Sequence, residues 1–144
     1  MVNDGAKNLP DKPEGLEIHW EDDLLVARLH ADYDLAAELY LQAARVALEE
    51  RYGYRLVIVD ARKGRTITAE ARRRMVPWHR SRNAPGAVAV LGGDFTTKTL
   101  VKMALSAARV LTKRQIRFAF CDTEEEARAW IEKQRKELRE LTRT

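Results

Sequence analysis

Two short runs with alternating character, Leu16 to Trp20 and Leu24 to Leu29, flank the acidic turn Glu21-Asp22-Asp23 and predict a β-hairpin. The period then lengthens. Leu35, Leu39, Ala43, Val46 and Ala47 recur at helical spacing behind Asp34, an N-cap residue type, and Gly53 stops a helix over Leu35 to Tyr52. Leu56-Val57-Ile58-Val59 is a continuous β-branched run ending at Asp60, as expected of a strand buried on both faces of a parallel sheet. The basic loop Arg62-Lys63-Gly64-Arg65-Thr66 leads to a helix capped by Thr68 and running to about Arg82, with Pro77 expected to kink or shorten it. Ala87 to Leu91 is the next buried strand, and Gly92-Gly93-Asp94 turns it into a helix from about Thr96 to Leu111. Gln115 to Phe120 is the last strand, with Arg117 opposite in facing to Ile116, Phe118 and Phe120. Thr123 and Glu126 form a capping box opening a final helix whose Ala127, Trp130, Ile131 and Leu138 face inward.

The order ββαβαβαβα predicts a single α/β domain over residues 15–141, behind a flexible tail over 1–14. Its sheet has about five strands, mixed but mostly parallel, with four helices and the first strand antiparallel at one edge. Ligands of such sheets meet the carboxyl ends of the strands, here Asp60 with the basic loop, Gly92-Gly93-Asp94, and Cys121-Asp122.

Composition narrows the class. The 144 residues, 45% apolar and 33% charged, fit one globular domain, and a lone Cys121 excludes an intrachain disulfide framework and a cysteine-based zinc site. The polar, acidic start carries neither a secretory signal nor a membrane span, so a soluble, cytoplasmic protein is expected. Residues 1–60 hold 6 basic and 13 acidic side chains (net −7), residues 61–117 hold 14 and 2 (+12), and residues 118–144 hold 6 and 7 (−1), so the net +4 originates in the middle.

That middle contains the candidate site. Arg62, Lys63 and Arg65 precede a helix N-terminus, and Arg72 and Arg73 project from its first turns, a setting for a phosphate or an acidic lipid headgroup as much as for an ordinary solvated basic face. Trp78 could stack a base, sit at a membrane interface, or close a core edge. His79 as a general base lacks a companion at any readable spacing, and His19, His30 and His79 could share a metal only through the fold. Gly92-Gly93 lacks the flanking pattern of a phosphate loop and reads more simply as a tight turn. The helix after it carries more apolar residues than one buried face needs, with Lys98 and Lys102 along its polar flank and Met103 among the surplus, which suits a second subunit or an anionic membrane. Cys121 reads as a small buried hydrophobe, and a nucleophilic role would need cations and a histidine beside it. No Ser-His-Asp set, paired carboxylates or metal-ligand spacing is legible, so neither a catalytic residue nor a cofactor nor a metal is assigned.

The segments Leu56 to Asp60 and Ala87 to Gly92, the strand Ile116-Arg117-Phe118-Ala119-Phe120 and the helix start Glu124-Glu125-Glu126-Ala127-Arg128-Ala129-Trp130-Ile131 resemble the SpoIIAA-like branch of the STAS superfamily over residues 14–133. The resemblance implies a small STAS-like signalling domain that binds partners or ligands and does no chemistry of its own. It also implies association with membranes or apolar ligands. The turn that carries a phosphorylated serine in the superfamily's anti-sigma-factor antagonists reads Asp60-Ala61-Arg62-Lys63-Gly64 here, and Ala61 and Arg62 replace the hydroxyls, leaving Thr66 and Thr68 as the nearest ones.

The leading expectation is therefore a regulatory module that docks a protein partner, or a second copy as a homodimer, through its second and third helices. The next is reversible attachment to an anionic membrane surface or an apolar ligand through the basic segment 61–117. Nucleic acid ranks below both, since no reading motif accompanies the charge. A small hydrolase or transferase using Asp60, His79 or Cys121 ranks last.

Overall fold

The computed structural model describes residues 9–93, 98–99, 102–103, 106 and 116–143. Strands β1 (Leu16–Glu21) and β2 (Leu24–Leu29) form the hairpin, turning at Asp22 with φ 54°. Helix α1 (Leu35–Tyr52) follows, its first turn closed by Asp34 Oδ1 accepting from Ala37 N at 3.0 Å and its end by Gly53 at φ 82°. Strand β3 (Arg55–Asp60) precedes α2 (Ala69–Ser81), in which Thr68 Oγ1 accepts from Ala71 N at 3.2 Å. Strands β4 (Gly86–Leu91) and β5 (Ile116–Cys121) and helix α3 (Glu124–Arg143) complete the described chain.

The sheet runs β1-β2-β3-β4-β5, antiparallel only between β1 and β2, so the mixed, mostly parallel architecture with an antiparallel edge is as expected. The helix anticipated over 96–111 falls largely outside the described residues. Lys98, Thr99, Lys102, Met103 and Ser106 are helical, and three complete helices are described. Asp94 and Thr96, the caps anticipated for that helix, and residues 1–8 of the anticipated tail also lie outside. Leu9 packs on the core, and Lys12 Nζ donates to the Leu16 carbonyl at 2.7 Å.

Alternation sorts the strands between two cores. Leu25, Ala27, Leu29 and Val57 face α1 and α2, while Leu24, Val26, Leu56, Ile58, Ala89, Leu91 and Cys121 face α3. Arg117 faces α3 as well, donating to Gln134 Oε1 at 3.0 Å and reaching Glu137. On α3, Ala127, Ile131, Gln134 and Leu138 are buried and Trp130 is half-buried. Pro77 lies inside α2, which is continuous across it.

One expectation is corrected. Of the five apolar positions that recur at helical spacing on α1, only Ala47 is buried, and Leu39 is 38% exposed. The buried stripe is instead Ala37, Glu38, Leu41, Ala44, Arg45 and Leu48. Two charged residues within it lower its apparent hydrophobicity, so the neighbouring stripe of Leu39, Ala43 and Val46 matches an apolar template better than the face that packs.

Candidate functional site

At the carboxyl end of β3, Asp60 is 6% exposed and held by two guanidiniums. Arg62 Nε and Nη2 donate to its two oxygens at 3.0 and 2.8 Å, and Arg28 Nη1 donates at 2.7 Å. The Arg62 fork, helped by the Arg62 N–H, holds the Asp60 carboxyl down at about 2 even though burial pushes the other way. Arg28 Nη1 also reaches Glu124 Oε1 at 3.0 Å, and Glu124 Oε2 accepts from Arg128 Nε at 3.0 Å, tying α3 to the sheet. A hollow of about 310 Å³ beside this network is lined by Glu17, Arg28, His30, Asp60, Arg62 and Lys63. Its carboxylates already have partners: Glu17 contacts both His19 and His30, and Asp60 takes both arginines.

A different site lies between α2 and the sheet. The face of α2 formed by Ala71, Met75 and His79, one residue per turn, stands over Val57 and Val59 of β3 and Val88 and Val90 of β4. Between them is a cavity of about 80 Å³ with mostly hydrocarbon walls. Its polar end is built by α1, the loop before it and β3: Tyr33, Glu38, Arg45 and Arg55 line it together with His79. All five are buried, at 4%, 0%, 8%, 4% and 7% exposure respectively.

Their hydrogen bonds are uneven. Glu38 accepts from the Tyr33 hydroxyl at 2.7 Å and from Gln42 Nε2 at 2.6 Å, leaving Arg45 Nη1 3.9 Å from Glu38 Oε1. That Nη1 is buried and makes no hydrogen bond. Arg55 pairs with Glu49 at 3.2 Å and donates to the Ala84 carbonyl at 3.2 Å, and its Nη1 lies 3.5 Å from His79 Nδ1. Burial first, and then the charges of Arg45 and Arg55, drive the His79 pKa well below its ordinary value. Burial, reinforced by Glu38, raises that of Tyr33. The Trp78 indole stands beside these guanidiniums, with the guanidinium carbons of Arg45, Arg55 and Arg82 at 5.6, 5.1 and 5.8 Å from a ring centroid.

The residues singled out in the sequence therefore scatter. Asp60 and Arg62 meet in an ion pair, while Lys63 and Arg65 are exposed on the loop. Thr68 caps α2, and the exposed Thr66 bonds through its backbone to Asp32 Oδ1 and to Tyr33 N. Arg72 is half-buried, with a buried Nε that makes no hydrogen bond. Trp78 is half-buried among arginines, with its ring edge-on to His79 at 5.0 Å between centroids. Gly92 and Gly93 take φ of 78° and 89°, and a Cβ at Gly92 would come within 2.5 Å of Arg62 Cγ, which explains the glycine without any phosphate. Lys98 is half-buried, Lys102 exposed and Met103 63% exposed. Cys121 is buried, its thiol pushed up by burial and by Glu126 and Asp122. His19 and His30 meet on Glu17, whereas His79 lies in the cavity wall, and among the described residues no group of three or more His, Cys, Asp or Glu could hold a metal. No described helix is long and apolar enough to cross a membrane.

Sequence reading missed Glu38, Arg45, Glu49 and Arg55. A signal was present: Arg45 and Glu49 lie 7 and 11 residues after Glu38, which returns each to the same face of α1 as Leu41 and Leu48.

No protein-family model matches the chain, and no curated protein does. Among solved structures it is similar to an uncharacterised protein of the DUF3478 family with a SpoIIAA-like fold from Shewanella loihica PV-4. The identity is 15% and the TM-score 0.47, over 86% of this chain and 99% of the other. A structure described as Mglu is similar at 12% identity and TM-score 0.35, over 76% of this chain and 20% of that one. The SpoIIAA-like fold named for the first is the one that the strand Ile116 to Phe120 and the helix start Glu124 to Ile131 resemble. At these scores the fold assignment rests on this chain's own strand order and register.

Proposed function

We propose that this domain is a non-enzymatic binding module that takes a small apolar ligand into the cavity between α2 and the sheet. The observation that carries this reading is the cavity itself, about 80 Å³ walled by Val57, Val59, Val88, Val90 and Met75 with a few converging polar groups at one end. At about half the roughly 150 Å³ that accommodates benzene, it encloses about three or four carbons, and the rest of a longer chain extends through its open side. The binding reading is preferred over a catalytic one on three grounds. Asp60 is locked by two guanidiniums, Cys121 has its thiol disfavoured as a thiolate, and His79 faces cations rather than a nucleophile.

Titration calorimetry with 1-hexanol and 1-octanol tests it. Saturable binding with 1:1 stoichiometry is expected, and the cavity-filling substitution Val88→Trp is expected to abolish it while the circular dichroism spectrum stays native. Absence of binding up to the solubility of both alcohols, or equal binding by a folded Val88→Trp protein, overturns the reading.

A second reading, docking of a protein partner or a second copy through α2 and the helical residues Lys98, Lys102, Met103 and Ser106, has the exposed Met103, next to Lys102, in its favour. Sedimentation equilibrium of the full chain and its Met103→Glu variant tests self-association. A dimer dissociated by the substitution supports it, and a monomer at all concentrations removes it.

A further inference from the structure

The polar end of the cavity has an electrostatic character that a purely apolar ligand would leave unused. Around the Trp78 indole stand three guanidiniums, Arg45, Arg55 and Arg82. Among the described residues two carboxylates face them: Glu49, which pairs with both Arg55 and Arg82, and Glu38. Glu38 is committed elsewhere, because Tyr33 and Gln42 each donate to one of its oxygens at 2.7 and 2.6 Å. Arg45 is left with a contact of 3.9 Å, longer than a hydrogen bond, and with a buried Nη1 that makes none. Its side chain is 10% exposed, so water supplies little of what is missing. A buried guanidinium N–H with no acceptor is costly, and a carboxylate supplies an acceptor matched to it in charge and in planar geometry.

We propose that the ligand of this cavity is a monoanionic amphiphile, a short-chain or branched carboxylic acid in its ionised form, whose carboxylate accepts from Arg45 and whose hydrocarbon lies against Val57, Val59, Val88 and Val90. The inference rests on the cavity reading above and adds the chemistry of the head group. One negative charge neutralises the excess of three cations over two anions. His79, on the same wall, is positioned to accept from Arg55 rather than to carry a competing charge. Reversing head and tail would bury a carboxylate among the side chains of Val57, Val59, Val88 and Val90.

The experiment compares hexanoate with 1-hexanol, equal in chain length and different in head group, by titration calorimetry at neutral pH. In the native protein hexanoate is expected to bind about 10- to 100-fold more tightly than the alcohol, the worth of one charge-assisted hydrogen bond in a buried setting. Arg45→Met is expected to remove that preference while leaving 1-hexanol binding within about twofold, and Arg45→Lys to restore part of it. Glu38→Gln, which removes the neighbouring negative charge, is expected to tighten hexanoate by about threefold or more without tightening the alcohol. Equal affinities for acid and alcohol in the native protein overturn the head-group assignment and leave the apolar cavity reading standing. Binding of neither overturns both. A folded Arg45→Met protein that keeps its preference for hexanoate overturns the role of Arg45. Should Arg45→Met not fold, the acid-to-alcohol ratio of the native protein and of Glu38→Gln still decides the outcome.

Discussion

Burial in the cavity wall, with the guanidiniums of Arg45 and Arg55 alongside, keeps the His79 imidazole neutral in the folded chain, whereas in the unfolded chain it titrates at its ordinary value near 6.5. Below that pH the unfolded state binds a proton that the folded state refuses, so stability falls as pH falls, by up to about 1.4 kcal/mol for each pH unit. Urea unfolding at pH 7.5, 6.5 and 5.5 is expected to show this loss, and His79→Gln to flatten it. An unchanged slope in the variant would exclude His79 as its source. At this scale legibility depended on what a residue does for its own neighbours. Asp34, Gly53 and Thr68 were readable because caps act on backbone groups within four residues of them. Arg45 and Arg55 were not readable, because the carboxylates and the indole that give them a role come together only when α1, β3 and α2 pack.

Between elements, the same logic explains which contacts hold the sheet to its helices. The hairpin turn carries Asp23, 2% exposed, which accepts from Arg135 Nε and Nη2 at 3.0 and 2.8 Å and from the Tyr54 hydroxyl at 2.6 Å, with Arg139 Nη2 at 3.5 Å. Burial alone would raise the Asp23 pKa, and the bonds from Arg135 and Tyr54 outweigh it, leaving the carboxyl below its ordinary range. One side chain thus fastens the β1–β2 turn and the start of β3 to the far end of α3. Asp23→Ala strands a buried hydroxyl and a half-buried guanidinium, and a loss of about 3 kcal/mol is expected in chemical denaturation. A loss below about 1 kcal/mol would show that water replaces the carboxylate there. The strands themselves were legible as apolar runs, and α3 as a spaced stripe of Ala127, Ile131 and Leu138. Helix α1 was legible in extent and misread in orientation, since Glu38 and Arg45 occupy its buried stripe while Leu39 faces out.

Across the whole molecule, the division of charge along the chain, −7 then +12, does not survive as a division in space. Arg62 and Arg82 of the basic section close on Asp60 and Glu49 of the acidic one, and Arg62 also stands 3.7 Å from Glu124 of the last. Part of the basic surplus is therefore consumed in joining elements, and the buried cations beside the cavity, Arg45 and Arg55, come from the acidic section. That placement couples ligand to stability, because the groups that would hold the head come from α1 and β3 while α2 and the sheet hold the tail. A ligand bound by the folded chain alone stabilises it by about 2.7 kcal/mol at 100 times its dissociation constant. At about 2 to 4 °C for each kcal/mol in a domain of this size, saturating hexanoate is expected to raise Tm by about 5 to 11 °C. With the cavity filled by Val88→Trp the shift is expected to vanish, and in Arg45→Met the shift given by hexanoate is expected to fall to the size of that given by 1-hexanol. A rise of equal size in native and cavity-filled proteins would place the bound molecules on the outer surface and sever the link between this cavity and the fold that surrounds it.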